Sequence, residues 1–141
     1  ENQLDSALAV ADKALAIAPD NDIYLFTKGT ILLNMGDFKQ CIEVNKKALA
    51  VNDSLSGAYY NIGLAYFNQA VEMDKNSQQS RKTHQEIDGL YKSAMPYLQK
   101  YRTMAPDMKD QWALPLYTIY LNLNMGKEFD EIDKLLNQKR K

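Results

Sequence analysis

The sequence is poor in the residues that do chemistry. It holds one cysteine, Cys41, and one histidine, His84, in 141 residues. A single cysteine forbids an internal disulfide, and one of each residue builds neither a zinc set nor a Cys–His nucleophile pair without other ligands. His84 falls in the most polar stretch of the chain, where an exposed histidine is expected, and Cys41 reads as a small packing residue. Neither Gly-x-x-x-x-Gly-Lys-Ser/Thr nor Gly-x-Gly-x-x-Gly is present, so no phosphate cradle is expected. The carboxylates Glu72, Asp74, Glu86 and Asp88 lie in hydrophilic sequence, without the burial that tunes a general acid. The expectation is a protein that is not an enzyme and takes no cofactor or metal.

Neither sign of charge is in excess by more than one. Seventeen Lys and Arg oppose eighteen Asp and Glu, for a formal net charge of −1. There is no broad basic field for nucleic acid, and the basic end, QKRK, reads as a solubilising tail. No apolar run is long enough for a bilayer span, so membrane insertion is not expected. No leader is visible: Glu1 already lies inside a helical pattern, and the expectation is a fragment of a longer protein.

What the chain does have is ordinary globular composition, 45% apolar and 25% charged, enough for one domain with a core. No stretch alternates strictly between apolar and polar, so strands are not expected. Breakers at 18–22, 34–37, 51–54, 105–110 and 124–127 divide an all-α pattern into about seven helices, near 2–18, 22–35, 37–51, 54–74, 78–104, 108–124 and 127–138.

A 34-residue period runs through the first half. Gly29 and Gly63 are one period apart, as are Ala14 and Ala48, Leu15 and Leu49, and Ala7 and Cys41. Glycine inside a helix costs about 1 kcal/mol against alanine, so Gly29 and Gly63 imply a neighbouring helix packed against each. Tyr59, Ile62, Gly63 and Tyr66 form one first-helix set, echoed by Leu25, Gly29 and Leu32 with Lys28 at the remaining place. Second-helix sets read Ala7, Ala11, Ala14 and Pro19, then Cys41, Asn45, Ala48 and Asp53, then Ala94, Leu98, Tyr101 and Pro106.

This pattern resembles the tetratricopeptide repeat (TPR). The resemblance covers nearly the whole chain and implies a right-handed superhelix of antiparallel helix pairs. It divides the chain into a half repeat (1–21), a regular repeat (22–55), an expanded repeat (56–108) and a terminal pair (109–141). The expanded repeat carries 19 extra residues around 74–86, expected as a solvated helical hairpin projecting past its neighbours, with a disordered loop as the alternative. Pro96 is expected to kink its helix near Lys92–Pro96, and Pro115 to bend or delay the next one. The features also resemble bacterial TPR proteins with a lengthened penultimate repeat, many of them exported or envelope-associated, which points to the bacterial envelope or periplasm.

In TPR arrays the first helices line a concave groove. The resemblance therefore implies an interaction scaffold whose groove holds a peptide or helix of a protein partner. The positions that map to this groove are Phe26, Thr30, Leu33 and Asn34, then Tyr60, Leu64, Phe67 and Asn68, then Ala113, Tyr117, Tyr120 and Leu121. Phe67 and Tyr120 lean toward packing. Asn61 matches one position of the family's carboxylate clamp, but the others fall on Phe26, Thr30, Asp110 and Leu114, so that clamp is not supported. The candidate partner-binding residues are thus Phe26, Thr30, Asn34, Tyr60, Asn61, Leu64, Asn68 and Tyr117. Two rival roles remain: a homo-oligomer formed through the uncapped first helix (Leu4, Ala7, Leu8, Ala11, Leu15), and a small-ligand carrier with a pocket beneath the expanded repeat.

Overall fold

A computed structural model describes residues 2–76 and 80–137. Among them lie seven helices and no strand: α1 (Asn2–Ile17), α2 (Asp22–Met35), α3 (Phe38–Val51), α4 (Ser56–Asn76), α5 (Arg81–Met104), α6 (Lys109–Asn122) and α7 (Gly126–Asn137). Each helix packs chiefly on the next in sequence, and α2 and α4 also touch each other, as do α4 and α6. This is the nearest-neighbour stacking of an α-solenoid. No helix among the described residues is long and apolar enough to cross a membrane.

Local chemistry sets the boundaries. Asn21 caps α2 by accepting from the Tyr24 N–H at 3.0 Å, Asp37 caps α3 through the Gln40 N–H at 3.3 Å, and Ser80 caps α5 through the Thr83 N–H at 3.1 Å. The start of α4 falls at Ser56 rather than 54. The Ser54 N–H is held by Asn52 Oδ1 at 3.0 Å and the Ala58 N–H by the Leu55 carbonyl at 3.1 Å, which makes 52–55 a turn. The two Asn-Met-Gly turns, similar in sequence, fold differently. Gly36 takes the left-handed conformation after α2 (φ 81°), whereas after α6 it is Asn124 (φ 57°) and Gly126 opens α7.

The close approach implied by the two helical glycines is present. A Cβ on Gly29 would stand 2.1 Å from Asn45 Nδ2 of α3, and one on Gly63 would stand 2.7 Å from Leu98 Cγ of α5. Ala48 is fully buried, while Ala14 is half-buried on the less covered α1. One core gathers Leu25, Leu32, Cys41, Val44, Ala48 and Ile62; the other gathers Ile87, Tyr91, Leu98, Trp112, Leu116, Ile119 and Ile132.

The expanded repeat is a pair of long helices, 21 residues in α4 and 24 in α5, against 14 in α2, α3 and α6. Of the segment expected as hairpin or loop, 74–76 and 81–86 are helical, and 77–79 lie outside the described residues. Helical structure runs unbroken through Pro96 and Pro115. Pro96 removes the bond to the Lys92 carbonyl, but both residues are exposed, where that carbonyl is open to solvent; Pro115 is buried in α6.

Candidate functional site

The faces of α2, α4 and α6 that carry the candidate residues are built from the packing just described. On α2, Phe26 is half-buried with its ring over Gly57 of α4, where a Cβ would come within 2.7 Å of Phe26 Cε1. Thr30 Oγ1 donates to the Phe26 carbonyl at 3.0 Å and accepts from Asn61 Nδ2 at 2.9 Å.

Asn61 sits behind this wall, 4% exposed. Its amide also reaches Asn45 Oδ1 at 3.4 Å; Asn45 Nδ2 in turn donates to the Cys41 carbonyl at 2.8 Å, and the Cys41 thiol points at the Asn61 carbonyl at 3.8 Å. The set ties α2, α3 and α4 together, and no buried side-chain nitrogen or oxygen among the described residues is left without a partner. Asn61 is thus placed as an internal strut, because the rotation of α4 that puts Tyr60 and Leu64 outward turns the next residue toward α3.

Tyr60 is half-buried, its ring centroid 4.8 Å from that of Tyr101, and burial followed by the neighbouring Tyr101 raises its hydroxyl pKa. Leu64 and Asn68 are half-buried beside it, and Phe67 packs on Tyr91 with centroids 5.8 Å apart. On α6, Tyr117 packs at a tilt against Phe129 with ring centroids 4.7 Å apart, Tyr120 is 3% exposed and accepts from Gln99 Nε2 at 3.0 Å, and Ala113 is buried. Asn34 is exposed. The side-chain amides of Asn34 and Asn68 make no hydrogen bond among the described residues.

Leu114 and Leu121, about two helical turns apart on α6, are 61% and 53% exposed. Leu114 lies outside the candidate set read from the sequence; its apolar character beside Tyr117 and Leu121 at helical spacing is the signal that marks it. A cleft of about 720 Å³ opens where the long α4 and α5 overhang the α2–α3 turn, lined by Asp37, Phe38, Lys39, Glu72, Met73 and Leu90. Its origin is the 19-residue excess, which carries α4 past the level of that turn.

Ionisation in the protein follows burial. The thiol of Cys41 is pushed up to about 11 by burial, partly countered by the Asn45 hydrogen bond, and Tyr60, Tyr91 and Tyr101 are raised chiefly by the same cause. A raised thiol is a poor nucleophile. Among the described residues no three His, Cys, Asp or Glu side chains come together to hold a metal ion.

Stacked antiparallel helix pairs, with glycine at the crossing points and a lined inner face, define a helical-repeat protein of the tetratricopeptide type. Residues 1–75 match the family described as anaphase-promoting complex, cyclosome, subunit 3, whose repeats are of that type, and the chain belongs to this family. No curated protein matches the chain. Repeats of this kind are typically noncatalytic and serve contacts between proteins.

Proposed function

We propose that the chain is a noncatalytic scaffold that holds a segment of a partner protein on the concave face formed by α2, α4 and α6. The observation that carries this reading is the pair of side-chain amides, Asn34 and Asn68, one 34-residue period apart and without a hydrogen bond among the described residues, on the same helices as Phe26, Thr30, Tyr60 and Leu64. An asparagine amide offers a donor and an acceptor, the complement of a peptide group, and tyrosine faces take up apolar side chains. Retention of partner proteins from source cells on the tagged chain tests it. Asn34→Ala combined with Asn68→Ala is expected to lower retention at least tenfold while leaving helicity and melting unchanged. Equal retention by the double variant defeats the assignment.

A second reading, self-association through α1, is favoured by Val10 and Ile17, which are 67% and 87% exposed on a helix that packs on α2 alone. Sedimentation across a hundredfold concentration range tests it, and a constant monomer mass excludes it.

A further inference from the structure

Among the described residues two polar side chains are buried, Asn45 at 0% and Asn61 at 4% exposure, and they meet each other. Their places in the repeat give the pair its meaning. Asn45 of α3 and Leu98 of α5 hold the same place in their second-helix sets, and Ala11 holds it in α1. Leu98 lies over Gly63 as Asn45 lies over Gly29, so the notch at a helical glycine takes a leucine where no amide is needed. On the first helices the place of Asn61 is held by Thr27 in α2 and Leu114 in α6, both exposed. Of these three helices, α4 is the one that brings an amide to it.

We infer that Asn45 and Asn61 form a register lock, which admits α4 at one level on the α2–α3 pair and refuses both a slid α4 and a helix without the amide. Apolar contact by itself does not choose. Ala58, Ile62 and Ala65 of α4 are each fully buried and follow one another within about a turn, so α4 slid by one turn still lays apolar atoms on apolar atoms. The amides do choose. Asn61 Nδ2 reaches Asn45 Oδ1 at 3.4 Å and Thr30 Oγ1 at 2.9 Å at the observed level. A slide of about one turn brings Gly57 or Ala65 to Asn45 in place of Asn61, and α6 in the place of α4 would bring Leu114. Either leaves the buried side-chain oxygen of Asn45 without a donor, a penalty that the observed pairing avoids. An interior amide at an otherwise apolar junction is a means of fixing register at some cost in stability. Tyr60, Leu64 and Asn68 ride on α4, so the lock also sets their level against Phe26 and Asn34 of α2.

Asn45→Leu combined with Asn61→Leu tests it, since leucine is close in shape to asparagine and already fills this place as Leu98. Thr30 donates to the Phe26 carbonyl, a bond the variant retains. Nitroxide labels at Lys47→Cys of α3 and Glu72→Cys of α4, both exposed, report the level of one helix on the other by pulsed electron spin resonance, and the enclosed Cys41 stays unlabelled. With Asn45 and Asn61 in place, the labelled protein should give one narrow distance. The leucine pair should unfold in urea at a midpoint no more than about 0.5 M lower, yet give a distance distribution that broadens or splits by about 5 Å, one helical turn. A narrow, unshifted distance in the variant overturns the inference, because apolar packing alone then sets the register. A larger fall in the midpoint overturns it as well, because the amides then serve stability and not selection.

Discussion

Gly63→Ala and Gly89→Ala are the same chemical change inside two long helices, and the structure assigns them opposite signs. Alanine is favoured over glycine by about 1 kcal/mol in a helix interior. At Gly89 of α5 an added Cβ meets nothing within 4 Å, so the whole of that gain is retained. For a chain of this size a 1 kcal/mol gain raises Tm by about 3–4 °C. At Gly63 the Cβ would lie 2.7 Å from Leu98 Cγ, 2.9 Å from its Cδ2 and 3.4 Å from its backbone nitrogen. The obstacle is a branch atom of a fully buried leucine beside its own backbone, not a free side-chain end. Overpacking of this kind costs about 1–3 kcal/mol. Taking the upper part of that range, Gly63→Ala is net destabilising by about 1–2 kcal/mol. Urea unfolding followed by helical circular dichroism and by the fluorescence of Trp112, the only tryptophan and 4% exposed, measures both variants. Leu98→Ala supplies the third arm. It costs about 2–5 kcal/mol alone, but it removes the obstacle, so adding Gly63→Ala in that background becomes neutral or stabilising. A Gly63→Ala protein as stable as Gly89→Ala, or no coupling with Leu98, refutes the claim that close packing put glycine there.

Four further outcomes follow from the same geometry. Asn45→Ala removes the second acceptor of the buried Asn61 amide and the side-chain donor to Cys41, and should cost about 1–3 kcal/mol in the same unfolding assay. Burial pushes the Cys41 thiol up from 9.0 to about 11 in the fold, so its share of stability is complete below pH 9 and is lost as pH climbs toward 11; the gap between the protein and Cys41→Ala should narrow by on the order of 1 kcal/mol between pH 8 and 10. The ion pair of Arg102 Nη2 with Glu131 Oε1, at 2.6 Å, lies on the surface, so Glu131→Gln should shift Tm by less than 2 °C, whereas Arg102→Ala, which also strips the cover from the Trp112 ring at 4.7 Å, should shift it further. Mid-helix amides of α4, around Ile62–Ala65, should exchange with deuterium more slowly than those of α1 or α7, as read by mass spectrometry of the native protein.

Much of the architecture was legible because its signals are local and costly. Glycine in a helix survives only where something crowds it, so Gly29 and Gly63 announced crossings that the structure shows at Asn45 and Leu98. Turn residues marked the helix ends to within two positions, except the start of α5, expected at 78 and found at Arg81. Register was harder to read. Tyr60 and Asn61 are neighbours in sequence, and only the rotation of α4 against α3 decides that one faces outward while the other is enclosed. That rotation is set by contacts among α2, α3 and α4 together, which no single segment encodes. The turns at 34–37 and 124–127 carry the same lesson. Each contains Asn-Met-Gly, yet the left-handed residue is the glycine in one and the asparagine in the other.

Helix α4 belongs to both cores: Ile62 and Ala65 complete the first, Ala70 enters the second, and Tyr66 touches both. The molecule therefore has no seam along which its halves part with their helices intact. Opening starts at the extremities and works inward, so α1 or α7 detaches while the central rod is still clamped on two sides. A cut or insertion that disrupts α4 removes the keystone of the whole arch, whereas loss of either outermost helix leaves the remainder standing.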